Sequence, residues 1–112
     1  MIIEIIRYTV TPGTEPDFER ACRGATQALE GSNACMGFSL TRSTVERNRY
    51  LMEVYWESPD GHLISFRQSS LFQDYLQHMS VYAEMIEESA HYRKTGIELT
   101  KKSLVRISGP PR

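Results

Sequence analysis

Residues 2–10 carry apolar side chains on both alternating sets, Ile3 and Ile5 on one and Ile2, Ile6, Tyr8 and Val10 on the other. β-Branched and aromatic residues at period two predict a strand, and apolar character on both sides predicts a strand buried on both faces. Such a strand belongs in the middle of a sheet, between helices and some second body. Thr11-Pro12-Gly13 is turn chemistry. Thr14 follows as an expected N-cap, with Glu15, Pro16 and Asp17 in a first turn that suits proline and carboxylates. Phe18, Cys22, Ala25 and Leu29 then recur on a single helical stripe, which predicts a helix over 14–30 with Gly31 as its C-cap.

Met36, Phe38, Leu40 and Arg42 alternate with Gly37, Ser39, Thr41 and Ser43, a second strand with one bulky and one small face. Residues 44–48 are a polar turn, and Arg49–Glu57 is a third strand with Tyr50, Met52, Val54 and Trp56 on one side. The short connection predicts an antiparallel hairpin. Ser58 and Pro59 read as cap and first position of a second helix, with His62 and Phe66 on one side of it. Ser70 and Gln73 form an expected capping box for a further helix, whose apolar face is Leu71, Phe72, Tyr75, Leu76 and Met79. Residues 80–89 fit neither period and are read as a lid or irregular cover. His91–Leu99 is taken as the fourth strand, and Leu104–Ile107 as a candidate extra strand before a disordered end.

Strand, helix, strand, strand, helices, strand is the split βαβ order of an α+β, ferredoxin-like domain with a four-stranded antiparallel sheet. Helices cover one face of such a sheet. A first strand apolar on both sides then calls for a cover on the other face, which a twofold homodimer would supply. The expected organisation is one domain over residues 1–99 and a C-terminal tail over 100–112.

Charge and composition narrow the function classes. The net charge is −1, with no basic excess to neutralise phosphates, so nucleic acid is not an expected partner. No apolar run approaches a membrane span, and the N-terminal run is too short and interrupted for a signal peptide, so the expected location is the cytoplasm. Cys22 and Cys35 stand far apart with no CxxC, and read as two buried free thiols. The three histidines lack HxxxH spacing, so no metal is expected from the sequence, which leaves open a site assembled in three dimensions. Phosphate-loop, nucleophile-elbow and kinase signatures are absent.

The ordered pieces resemble the antibiotic-biosynthesis monooxygenase (ABM) family. Residues 4–18 resemble its opening strand, turn and helix, and residues 37–43 its second strand. The middle matches best, with Trp56-Glu57-Ser58, His62, Phe66-Arg67-Gln68-Ser69 and Phe72, and His91-Tyr92 resembles the start of the last strand. The resemblance implies a dimeric α+β barrel with a pocket between sheet and helices. It also implies a cofactor-independent monooxygenase that oxidises an electron-rich aromatic, such as an anthrone, polycyclic phenol or quinol. Triplet oxygen reacts slowly with closed-shell molecules, so such an enzyme needs a base near neutrality inside an apolar, water-excluding pocket.

His62 is the first candidate for that base, against the plainer role of a locally hydrogen-bonded histidine. Trp56 is the candidate wall for a flat ring, or simply a core tryptophan. Phe66, Phe72, Tyr75 and Met79 are expected as pocket roof or as an ordinary packed helix face. Arg67 either holds an anionic oxygen or pairs with Glu53 or Glu57. His91 is a second polar group at the pocket or a solvent-facing strand end, and His78 is a surface residue. The same residues serve a non-catalytic, stress-associated domain that binds a small aromatic. Haem binding and degradation, with His62 or His91 as axial ligand, ranks below both.

Overall fold

The computed structural model describes residues 1–101, the side chain of Leu63 excepted. It is an α+β domain with strands β1 (Ile2–Thr9), β2 (Cys35–Arg42), β3 (Arg49–Trp56) and β4 (Ile86–Arg93) and helices α1 (Glu15–Glu30) and α2 (Ser70–Met79). A π-helical turn, Gly61–Phe66, precedes α2, and a 3₁₀ turn, Ser80–Met85, follows it. The four strands form one antiparallel sheet in the order β2-β3-β1-β4. β1 is therefore internal, as its two apolar sides require.

Both helices lie on the face carrying Ile2, Ile6, Tyr8, Tyr50, Met52, Val54 and Trp56, all buried. The stripe of Phe18, Cys22, Ala25 and Leu29 is buried there too. Phe18 is the hub at one end of this core, with ring centroids 4.8–5.0 Å from Tyr8, Tyr50 and Tyr82. Burying each such ring stabilises the fold by roughly 2 kcal/mol. On the other face Ile3, Ile5, Leu51 and Tyr55 are only half-buried and Tyr92 is exposed. One end of that face is charged: Arg7 pairs with Glu88, Arg49 with Glu87, and the Thr9 hydroxyl donates to Glu87.

Several local expectations change. The Thr14 hydroxyl donates back to the Thr11 carbonyl instead of capping α1; the Glu15 carboxylate takes the Gly13 N–H. Gly31 ends α1 with right-handed geometry, φ −72°, so it is not a left-handed cap. Its missing side chain makes room for α2, since a Cβ there would lie 3.1 Å from Leu71. The expected Ser70–Gln73 capping box is absent. Ser69 is the N-cap residue of α2, and its hydroxyl donates to the Phe66 carbonyl. A bulge between Cys35 and Gly37 turns Met36 out to solvent, and Cys35 is half-buried where two buried thiols were expected.

The largest revision concerns β4. It occupies Ile86–Arg93, not His91–Leu99, and begins within the stretch read as irregular cover. As an edge strand it carries exposed and paired charges in place of an apolar alternation, so no pattern marks it. Beyond it Gly96, at φ +88°, sits in the left-handed region and breaks extended pairing. His91 thus lies in the second half of the strand and not at its start. The candidate strand at Leu104–Ile107 lies outside the described residues.

Candidate active site

Between the sheet and α2 lies a cavity of about 410 Å³. Its floor is β1, β3 and β4, through Glu4, Ile6, Tyr8, Val54, Trp56, Ser89 and His91. Its roof is the π-helical turn, α2 and the 3₁₀ turn, through His62, Phe66, Arg67, Phe72, Tyr75 and Met79. All eight residues singled out from the sequence line this one cavity. His78 does not; it is exposed, with its ring over Gly24 of α1.

The sequence folds His62 inward for a local reason. The Ser58 hydroxyl accepts the Gly61 N–H at 3.1 Å, starting a turn immediately after β3. The Arg67 N–H then reaches five residues back to the His62 carbonyl, at 3.1 Å. This wider π-type turn, a feature found often at functional sites, places His62 and Phe66 together over Trp56. The His62 ring stacks on the indole at 4.8 Å and 18°, and the Phe66 ring tilts against it at 5.2 Å. Phe66 also meets Phe72 and Tyr75 edge-on, which makes an aromatic wall from the two helical segments.

Glu4 is the residue that periodicity passes over. It interrupts the apolar side of β1, pairs across the sheet with His91 of β4, and is only 8% exposed. The Trp56 indole N–H donates to Glu4 Oε1 at 3.0 Å. The other oxygen, Oε2, lies 3.5 Å from His62 Nε2, an electrostatic contact longer than a good hydrogen bond. On the far side of the ring, His62 Nδ1 stands 2.9 Å from His91 Nε2. Trp56, Glu4, His62 and His91 therefore form one polar chain running from the core to the exposed His91. A carboxylate on the buried face of an otherwise apolar strand was the available signal for Glu4. It needed the helix-facing side of β1 to be known first.

Burial governs the charges. It pushes the Glu4 carboxyl above its ordinary value, opposed by the Trp56 bond and by the electrostatic influence of His91 and Arg67. It pulls His62 down to about 4, with His91 and Arg67 adding to the effect. Although Glu4 would favour an imidazolium, desolvation prevails, and His62 is neutral at pH 7. If the Nε2 proton faces Glu4, the Nδ1 lone pair faces His91. Burial also holds the hydroxyls of Tyr8 and Tyr75 above the ordinary tyrosine range, so both stay protonated. Arg67 stands over the Phe72 ring at 5.5 Å. Glu53, one of its expected partners, accepts instead from the Tyr55 hydroxyl at 2.8 Å. The Arg67 guanidinium is exposed at the cavity edge.

Comparison with known proteins sets this site in a family. Residues 1–78 match the family model described as antibiotic biosynthesis monooxygenase. The chain is 32% identical over 75 residues to the uncharacterized protein YczJ of Bacillus subtilis (strain 168), covering 67% of this chain and 79% of that one. Among solved structures, an antibiotic biosynthesis monooxygenase family member from Bordetella bronchiseptica superposes with a TM-score of 0.69. It is 34% identical, with 84% of this chain and 96% of that chain covered. SnoaB, a cofactor-independent oxygenase from Streptomyces nogalater, superposes with a TM-score of 0.72 at 16% identity, covering 86% and 94% of the two chains. At that identity the likeness to SnoaB is one of fold.

Proposed function

The chain belongs to the antibiotic biosynthesis monooxygenase family, and from that premise we propose that it is a cofactor-independent monooxygenase acting on a small electron-rich aromatic: an anthrone, polycyclic phenol or quinol. The observation that carries this reading is His62. It is a buried, neutral imidazole stacked on Trp56 and held between Glu4 and His91 in an aromatic-lined cavity.

The chemistry begins with a proton. The substrate ring lies against Phe66, Phe72 and Tyr75, with its acidic C–H or O–H directed at His62. His62 accepts that proton, and the Glu4 carboxylate, oriented by Trp56, stabilises the imidazolium as it forms. Arg67 at the cavity edge attracts the anionic oxygen. His91, exposed at the end of the polar chain, passes the proton to solvent. The substrate anion then gives electrons to oxygen, and a carbon–oxygen bond forms to yield a hydroperoxide. Loss of water leaves a quinone. For an anthrone the ring carbon loses two hydrogens and gains one oxygen atom, and the second oxygen atom leaves as water. The substrate supplies all four electrons that the oxygen molecule takes up, so the balance needs no flavin or metal.

The half-open face of Ile3, Ile5, Leu51 and Tyr55 is part of the proposal. A second copy packed there would remove this apolar surface from water at about 25 cal/mol per Å², and the assembly would be a homodimer. The described residues include no helix long and apolar enough to cross a membrane.

The test is oxygen uptake by metal-stripped protein with a panel of anthrones and quinols, against His62→Ala. Uptake lost in the folded variant supports the reading, and undiminished turnover removes His62 from the mechanism. Tight quinol binding with no oxygen consumed would make the chain a binding domain.

A further inference from the structure

We propose that Glu4, His62 and His91 together form a binding site for one divalent first-row transition-metal ion. One ligand atom from each of the three lies within 4.8 Å of the others. Two imidazoles and a carboxylate are a donor set that suits Zn²⁺, Fe²⁺, Co²⁺ or Ni²⁺, whereas Mg²⁺ and Ca²⁺ prefer oxygen alone.

The spacing specifies a coordination angle. His62 Nδ1 and His91 Nε2 are 2.9 Å apart. With metal–nitrogen bonds of about 2.1 Å, two ligands at a right angle stand roughly 3.0 Å apart, against about 3.4 Å for a tetrahedral pair. The histidine pair thus fits neighbouring corners of an octahedron. The Glu4 carboxylate must draw in from at most 4.8 Å to about 3 Å when an ion binds. The Trp56 indole holds Oε1, while Oε2 rests against His62 Nε2, so the carboxylate must swing past the ring edge to share an ion with Nδ1 and His91. Such outer-shell bonds to ligating carboxylates add tenfold to a hundredfold in affinity. All three residues line the cavity, so the other three corners would be filled by water or a ligand bound there. Arg67, whose charge reaches both Glu4 and His62, opposes the cation and weakens the site. It also biases the open corners toward an anionic ligand such as a phenolate or catecholate.

His62 cannot hold a metal and accept a substrate proton with one lone pair. An ion in this site therefore competes with the base function proposed above. The binding claim stands on geometry alone, and only the competition rests on the oxygenase reading.

The experiment uses the full chain, stripped of metal. Co²⁺ is titrated while its visible d–d absorption is followed, and Zn²⁺ binding is measured by calorimetry. One ion per chain is expected, with Zn²⁺ tighter than about 10 μM. His91→Ala, at an exposed position, should weaken binding by about a hundredfold with the unfolding midpoint unchanged, and Glu4→Gln by at least about tenfold. His78→Ala should leave the affinity unchanged, and Mg²⁺ should not compete. Equal affinity in His91→Ala and the unsubstituted chain, or no saturable binding below about 1 mM, overturns the site. Zn²⁺ that suppresses oxygen uptake at the concentration where it binds supports the competition. Uptake undiminished with the ion bound overturns the competition and leaves the site. Uptake seen only in loaded protein supports the site and sinks the cofactor-free reading.

Discussion

Lowering the pH from 7.5 to 5.0 should destabilise the fold through His62 alone by about 2 kcal/mol. The ring is 8% exposed and its folded value is about 4, against 6.5 for an unconstrained histidine. Between those values the unfolded chain takes a proton that the folded chain refuses, so stability is full above pH 6.5 and falls as pH drops toward 4. At 1.36 kcal/mol per pH unit, the interval from 6.5 down to 5.0 corresponds to about 2 kcal/mol. Glu4 acts in the opposite sense. Its folded value is raised, so its contribution is present at low pH and is lost as pH rises through that value. His91 and Arg67, which also face the ring, enter both wild type and variant. The assay is therefore urea unfolding of the unsubstituted chain and His62→Gln at both pH values. The wild-type midpoint should fall by about 1 M or more beyond the change in the variant, given a slope of about 1–2 kcal/mol per M. Equal losses in the two proteins would show that His62 is solvated or already charged, and the account of a neutral buried base would fail.

Trp56→Phe keeps an aromatic ring but removes the N–H that Glu4 accepts, and should cost about 2–3 kcal/mol in urea unfolding at pH 7. Phe66→Ala empties the centre of the aromatic wall, where the side chain is 2% exposed, and should cost about 3–5 kcal/mol, read from the thermal midpoint. Gly24→Ala drives a Cβ into the His78 ring, so it should yield little stability alone. In a His78→Ala background the same change should gain about 1 kcal/mol, the helix preference of alanine over glycine. The acid limb of the oxygen-uptake profile should lie below the 6.5 of an ordinary histidine, because burial lowers His62 to about 4. A limb centred at 6.5 or above would assign the base elsewhere.

How much of this was legible beforehand depended on the physics behind each element. β1, α1 and β3 repeat at their own periods because one face of each is buried, so their side chains declare them. β4 sits at the sheet edge, and its Glu87 and Glu88 are matched to Arg49 and Arg7 across the sheet, not to a core. Such pairing leaves no local period. The bulge that turns out Met36 is likewise a product of strand register, invisible along the chain. At the site, His62 and Trp56 stand out because of their residue types and the short span between them. Glu4 does not, because its significance is that it lies beneath Trp56 and opposite His91, two residues remote in sequence.

The polar chain of the site ends on an edge strand. His91 is held by β4, whose only sheet neighbour among the described residues is β1, while Glu4, Trp56 and His62 are anchored in or against the core. Edge strands detach at lower free energy than core strands, and their amide hydrogens exchange sooner. On the proposed mechanism, the fold can thus release the residue that passes the proton to solvent while its centre stays intact. Heating should silence the protein several degrees before it unfolds, and cooling should restore it without any refolding step.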